Sequence, residues 1–210
     1  MPLDHFTQPI RSLDELLAVV GTPGPLALKK ELTALDEHMR RFIAHSPFLI
    51  LSTYSAGGKC DASPRGDAPG FVRVIDDRTL LIPDRRGNRR VDSFRNVMDT
   101  GRAGLLFLIP GVGETLRVNG RAALIRDPAW LEPLAADGKV PQLGLAIEVE
   151  ECFLQCAKAL LRSKLWTTRD RPDLASLPCA GQMLADQARM PEYDAQQMQA
   201  LLDGAYQQLY

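Results

Sequence analysis

Apolar and polar residues recur along this chain with two different periods, and the change falls near residue 46. Ahead of it the spacing is helical. Ser12-Leu13-Asp14-Glu15 has the form of a capping box before an apolar run, which predicts a short helix from Ser12 to about Gly21. After the breaker Pro23-Gly24-Pro25, residues Leu28, Leu32, Leu35, Met39 and Phe42 recur at intervals of four and three. That is one apolar stripe, predicting a single helix of about fifteen residues packed on the chain's own core.

From Pro47 the period is that of strands. Residues 48–53 form an apolar run, Gly57-Gly58 a turn, and residues 60–63 a returning strand. A second hairpin is predicted from 71–75 and 79–82 around Asp76-Asp77. Residues 103–109 read as a buried strand ended by Pro110-Gly111. The cleanest alternation runs over 115–124, where Leu116, Val118, Ala122 and Leu124 face one way and Thr115, Arg117, Asn119 and Arg121 the other. A further strand is expected at 143–149, and Met198, Leu201, Leu202, Ala205 and Leu209 form a stripe on a terminal helix. Short strands joined by hairpins indicate a mainly antiparallel sheet or small barrel, with helices around it. The fold class expected is mainly β (α+β). The chain divides as one domain: a helical extension over 1–45, the barrel core over 46–170 and a helical tail over 171–210.

Composition narrows the partners. In 210 residues, 45% hydrophobic and 24% charged, 25 Lys+Arg stand against 26 Asp+Glu, a net charge of −1. Balanced charge argues against a nucleic-acid or anionic-membrane surface. Apolar runs such as 48–51 and 105–109 are too short to cross a bilayer. Met1-Pro2-Leu3-Asp4-His5-Phe6 has neither a basic nor an apolar leader region, so a cytoplasmic location is expected. Cys60, Cys152, Cys156 and Cys179 form no C-x-x-C pair, and Cys152 and Cys156 are spaced to share a helix face. All four are expected to be reduced core thiols, with no metal site. His5, His38 and His45 precede the strands and read as solvated or capping side chains.

The charge is unevenly placed. Nineteen of the 25 basic residues are Arg, and residues 85–95 hold five Arg and one Asp. This segment, Arg85-Arg86-Gly87-Asn88-Arg89-Arg90-Val91-Asp92-Ser93-Phe94-Arg95, therefore carries +4 where the rest of the chain carries −5. It follows a strand and precedes a short helix, so guanidinium groups and helix-start amides can converge on one anion. It is either a phosphate pocket or a solvated arginine face paired with Asp84, Asp92 and Asp99. Ser63-Pro64-Arg65-Gly66-Asp67, just before the second hairpin, adds another Arg and a hydroxyl at a strand end, with Arg65-Gly66-Asp67 read as loop.

Taken in order, Ser63-Pro64-Arg65-Gly66-Asp67, Leu81-Ile82-Pro83-Asp84, Gly87-Asn88-Arg89-Arg90 and Leu116-Arg117-Val118-Asn119-Gly120-Arg121 resemble the pyridoxamine 5'-phosphate oxidase-related flavoproteins. With Glu114-Thr115 and Arg162-Ser163-Lys164-Leu165-Trp166, they are similar to a subgroup of FMN-dependent proteins of unassigned substrate, over roughly residues 45 to 170. The resemblance implies an FMN-binding split β-barrel with N- and C-terminal helices. It also implies a homodimer with FMN at the interface. Ser63, Arg65, Asn88, Arg89 and Arg90 would grip the phosphate, and Pro64 belongs to the same motif. Pro83, Asp84, Thr115, Arg117, Lys164 and Trp166 would line the isoalloxazine slot. Trp166 is otherwise core packing, and Arg117 otherwise pairs with an acid across the sheet. Three positions depart from the family pattern. Arg90 stands where Lys is usual, Asn119 replaces an acid, and Gln155 stands where relatives carry His.

The implied activity is two-electron oxidoreduction of a small molecule through the flavin N5, with no general acid or base singled out. Two alternatives share the barrel. One is a non-catalytic flavin or haem carrier; the other is a deazaflavin-dependent reductase, whose longer acidic cofactor tail needs a wider basic groove.

Overall fold

The computed structural model describes residues 5–167 and 173–210. Seven strands form one antiparallel sheet: β1 (Phe48–Tyr54), β2 (Cys60–Gly66), β3 (Arg73–Val74), β4 (Thr79–Pro83), β5 (Arg102–Leu108), β6 (Thr115–Ile125) and β7 (Gly144–Gln155). Their order across the sheet is β2-β1-β5-β6-β7-β4-β3, every neighbouring pair antiparallel. The sheet curls. Arg65 on the edge strand β2 reaches Asp84 just past β4, although four strands lie between them in the sheet. Leu49, Leu51, Leu80, Leu105, Phe107, Leu116, Val118 and Ile147 fill the interior with almost no exposure, as period-two alternation requires.

Eight helices accompany the strands among the described residues. They are α1 (Leu13–Val20), α2 (Pro25–Lys29), α3 (Glu37–His45), α4 (Asp92–Thr100), α5 (Pro128–Leu131), α6 (Lys158–Ser163), α7 (Ala180–Ala188) and α8 (Ala195–Tyr206). Helix α1 lies where the capping box placed it, with Ser12 accepting from the Glu15 amide. Helix α3 buries Met39 and Ile43, and α4 buries Phe94 and Val97. The split-barrel core with flanking helices agrees with the expected α+β class. The expected boundary between core and tail, at 170–171, lies outside the described residues.

Four expectations change. The single helix over 28–42 is two, α2 and α3, with an extended segment between. Beyond Thr79↔Glu148, β4 no longer covers the edge of β7, so Leu32 pairs there with Cys152 through N–H···O bonds of 3.0 and 2.8 Å. Asp36 then caps α3 by accepting from the Met39 amide at 2.7 Å. Backbone pairing at an open strand edge outweighs the weak pull of the stripe toward helix.

The second change concerns β2, which continues past Ser63 to Gly66, so Arg65 and Gly66 are strand residues rather than loop. Pro64 is tolerated because β2 is an edge strand. Third, only Met198 of the terminal stripe is buried; Leu201 and Leu209 are exposed, and Leu209 lies beyond the end of α8. Helix α8 packs instead against α7, where Gly181 leaves no room for a side chain against the Ala195 carbonyl.

Last, Cys60, Cys156 and Cys179 are exposed and only Cys152 is buried. Cys152 lies in β7 and Cys156 beyond its end, so they share no helix. Burial pushes the Cys152 thiol up to about 11, and it donates to the Leu32 and Ala34 carbonyls. A thiol-reactive chromogen is therefore expected to titrate three thiols in the native protein and the fourth only after unfolding. Four fast equivalents would contradict this burial.

Candidate functional site

Alternation along β2 sets the site. Asp61, Ser63 and Arg65 point to the half-buried side under α4, while Cys60, Ala62 and Pro64 point outward. Three buried polar residues converge on that face: Thr53 from β1, and Ser93 and Asn96 from α4. The Ser93 hydroxyl donates to Asp61 Oδ2 at 2.6 Å, Asn96 Nδ2 to Thr53 Oγ1 at 3.0 Å, and Thr53 Oγ1 to the same Asp61 oxygen at 3.4 Å. Buried polar groups are the informative exceptions to a hydrophobic interior.

Arg65 crosses this cluster. Its Nη1 lies 3.5 Å from Asp84 Oδ1, its Nη2 donates to Ser93 Oγ at 3.4 Å, and its guanidinium sits 5.2 Å from the centre of the Phe94 ring. These are long contacts. Arg65 Nε is buried and has no partner among the described residues. A cavity of about 10 Å³, room for one water, lies between Arg65, Asp84, Pro83 and Phe94. Burial pulls the Arg65 guanidinium below its ordinary value, against the charges of Asp84 and Asp61. Burial also raises Asp84, against Arg65 and Arg85. Desolvation thus outweighs a loose ion pair.

The cationic segment runs from β4 to α4 beside this cluster. Its residues differ in availability. Arg85 is occupied: its Nε donates to Asp67 at 2.5 Å and its Nη1 to the Leu134 carbonyl at 2.9 Å. Arg86, Gly87, Asn88, Arg89 and Arg90 are exposed. Asn88 Oδ1 accepts from the Arg90 amide at 3.1 Å, an Asx turn that leaves its NH2 as a donor. Arg89 and Val91 adopt the left-handed conformation, with φ of 59° and 54°, a cost for residues with a side chain. Helix α4 then starts without a side-chain cap, so its first amides are open. Arg90 pairs with Asp92 at 2.8 Å; that bond, with the charges of Lys59 and Arg95, holds Asp92 below its usual range. Arg86 and Arg89 form no ion pair among the described residues.

Arg65, Pro83 and Asp84 therefore meet, with Ser63 on the same face of β2 and Asn88, Arg89 and Arg90 on the adjoining loop. Pro64 faces away. Thr115, Arg117, Lys164 and Trp166 gather elsewhere, at the far end of β6. There Thr115 Oγ1 lies 3.5 Å from Gln155 Oε1, and Trp166 Nε1 donates to the Val112 carbonyl at 2.7 Å. Lys164 ends α6 in the left-handed conformation. Arg117 stacks on Phe153, 5.3 Å from the ring centre, rather than pairing with an acid. A pocket of about 550 Å³ opens near this end of β6 under α3, lined by Leu32, Met39, Phe42, Leu116 and Leu154 together with Lys30, Asp36 and His38. Thr115 and Leu124 are nine residues apart on β6, roughly 30 Å along the strand, and Leu124 pairs with Leu145 beside Pro83 and Asp84. Pro83 and Asp84 thus lie beside the end of β6 remote from Thr115, whereas Arg65 is level with Leu116 across the sheet, through Leu49 and Phe107.

Thr53, Asp61, Ser93, Asn96 and the Asp67–Arg85 pair went unread from the sequence. Asp61 had a signal, being in phase with Ser63 and Arg65. The others depend on α4 crossing β1 and β2, which no local pattern states.

The fold is an antiparallel split barrel with a polar face under α4 that adjoins an arginine loop. The pyridoxamine 5'-phosphate oxidase family model matches residues 35–156, more than half of the chain, and the chain belongs to that family. Among solved structures it is similar to HupZ of Group A Streptococcus at 20% identity, over 58% of this chain and 94% of that one, with a TM-score of 0.48. It is similar to a pyridoxamine 5'-phosphate oxidase candidate of Lactobacillus delbrueckii at 19% identity, over 59% and 98%, TM-score 0.46. An FMN-binding protein of Syntrophomonas wolfei shares 14% identity over 67% and 92%, TM-score 0.43. No curated protein matches the chain. Among the described residues, no helix is long and apolar enough to cross a membrane and no group of side chains is arranged for a metal ion.

Proposed function

We propose that this protein binds FMN and uses it for two-electron oxidoreduction of a small molecule. The observation that carries the proposal is the exposed Arg86–Arg90 loop running into the uncapped start of α4, beside a half-buried Arg65 whose Nε has no partner among the described residues. This donor set fits a phosphate dianion. Arg89 and Arg65 supply charge, Asn88 and Ser63 supply neutral donors, and the α4 amides supply oriented dipoles. Arg90 joins by exchanging Asp92 for phosphate, a trade of one surface ion pair for a stronger contact.

Bound FMN supplies a reversible acceptor of two electrons; the protein supplies placement and electrostatics. Pro83 and Asp84 wall the phosphate side of the slot. The protein acts as a cytoplasmic homodimer, and the Thr115, Arg117, Lys164 and Trp166 group reaches the slot from the partner subunit. The distance along β6 between Thr115 and the Leu124 end, where Pro83 and Asp84 lie, supports this arrangement. Arg117 then places positive charge, and Trp166 an aromatic face, against the ring system.

The purified protein is expected to be yellow or to take up added FMN, and dithionite is expected to bleach the bound flavin. Replacing Arg89 and Arg90 together by Ala is expected to weaken FMN binding by roughly a hundredfold, since each charge-assisted bond contributes more than a neutral one. The melting temperature should hardly move, because both side chains are exposed. A wild type that neither carries nor binds FMN would sink the proposal. FMN binding that survives the double change would sink the assignment of the loop.

A further inference from the structure

Three distant parts of the chain meet at Asp67. Asp67 follows β2, Arg85 follows β4, and Tyr210 lies beyond α8, 143 residues from Asp67. The Asp67 side chain is only 4% exposed and accepts three hydrogen bonds. Its Oδ1 accepts from the Tyr210 hydroxyl at 2.7 Å and from the Ala68 amide at 2.7 Å; its Oδ2 accepts from Arg85 Nε at 2.5 Å. Arg85 is held on its remaining sides by the Leu134 carbonyl and by the Tyr210 ring, 5.7 Å from its guanidinium carbon. Lys139 Nζ donates to the Tyr210 carbonyl at 2.8 Å, fixing that residue from a third direction. The next residue back is pinned as well, since the Asp84 amide donates to the Leu143 carbonyl at 3.0 Å.

Of the four arginines over 85–90, one is thus locked into the scaffold while Arg86, Arg89 and Arg90 project into solvent. Such a division has a physical consequence. A loop that must order itself around an anion spends part of the contact energy on that ordering, and a stem fixed in advance reduces the cost. We propose that Tyr210 is a positioning residue of the arginine loop: through Asp67 it fixes Arg85, and thereby sets how ordered the Arg86–Arg90 loop is and how slowly FMN leaves it. The second half of this proposal rests on the FMN assignment; the first half does not. Tyr210 touches no part of the phosphate site itself and acts only through Asp67 and Arg85.

Tyr210→Phe keeps the ring over Arg85 and removes only the hydroxyl, with Asp67→Asn as the second variant should the first fold poorly. Two measurements separate the halves. Amide hydrogen exchange at Asp84 and Arg90, the hydrogen-bonded amides at the two ends of the exposed stretch, is expected to quicken roughly tenfold in the cofactor-free Tyr210→Phe protein. FMN release, followed by stopped-flow fluorescence, is expected to quicken roughly five- to tenfold. On an Asp67→Asn background the Tyr210 change should add nothing to either rate, which a general loss of stability would not reproduce. Unchanged exchange in the loop overturns the proposal whether or not FMN binds. Faster exchange with unchanged FMN release overturns the link to the cofactor. A wild type that does not bind FMN overturns the FMN assignment and that link, while hydrogen exchange still decides the pinning of the loop.

Discussion

Gly120→Ala is expected to cost about 3–5 kcal/mol, lowering the melting temperature by roughly 10–15 °C or leaving the protein insoluble. A methyl group at this position would run into the Glu148 carbonyl oxygen, with the Glu148 carbon at 2.9 Å and the Glu150 amide at 3.3 Å. All three obstacles are backbone. They belong to β7, which here is paired with β6 through a bulge between Asn119 and Gly120 and flanked by β4. Neither strand can retreat without breaking its ladder. The bulge also lines up Arg121 with Glu148 and Glu150, and Arg102 with Glu150, on the outer face. Those exposed pairs contribute little themselves, so the loss would come from the collision. Gly57→Ala is the control, since a methyl there meets only Ser55 Oγ at 3.8 Å. Thermal melts of the two variants decide the matter; a Gly120→Ala protein melting within a few degrees of wild type would show that the close approach is not real.

Gly120 also marks how far the sequence could be read. The β6 alternation from Leu116 to Leu124 was plain, because inward and outward residues differ in kind, yet the bulge within it left no trace except a glycine. The stripe from Leu28 to Phe42 misled for a related reason. Its spacing is helical, but the uncovered edge of β7 offers Leu32 backbone partners that local pattern cannot announce. At the site, Arg65, Asp84 and the arginine loop were found through charge density and motif order. Which guanidinium groups remain available was not, because that depends on Asp67 and Tyr210 meeting across most of the chain. The resemblance to FMN-dependent relatives assigned Thr115, Arg117, Lys164 and Trp166 to the same site as the loop. In a single chain Thr115 lies at the opposite end of β6 from Pro83 and Asp84, a consequence of strand length and register that residue types do not reveal.

Arg65→Met is expected to weaken FMN binding by at least roughly tenfold and to destabilise the cofactor-free protein by about 2–3 kcal/mol. The latter lies below the 3–5 kcal/mol typical of breaking a fully buried pair, because Arg65 and Asp84 are each partly exposed, at 22% and 30%. Met preserves much of the side chain's length, so the loss reports the guanidinium, its charge and its contact with the Phe94 ring together. Acid titration supplies the sharper signature. Burial already raises Asp84 in the folded protein, so its ionised form costs stability at neutral pH. Removing Arg65 takes away a charge that opposes the rise, moving Asp84 further up and enlarging that cost. The cost is complete well above the raised value, shrinks as pH falls through it, and is gone below the ordinary aspartate value of about 3.9, where folded and unfolded states are both protonated. The melting-temperature gap between wild type and Arg65→Met should therefore be widest near pH 7–8 and narrow steadily toward pH 4. A gap independent of pH would mean that Arg65 serves as packing alone. A variant that keeps wild-type FMN affinity would remove Arg65 from the phosphate site.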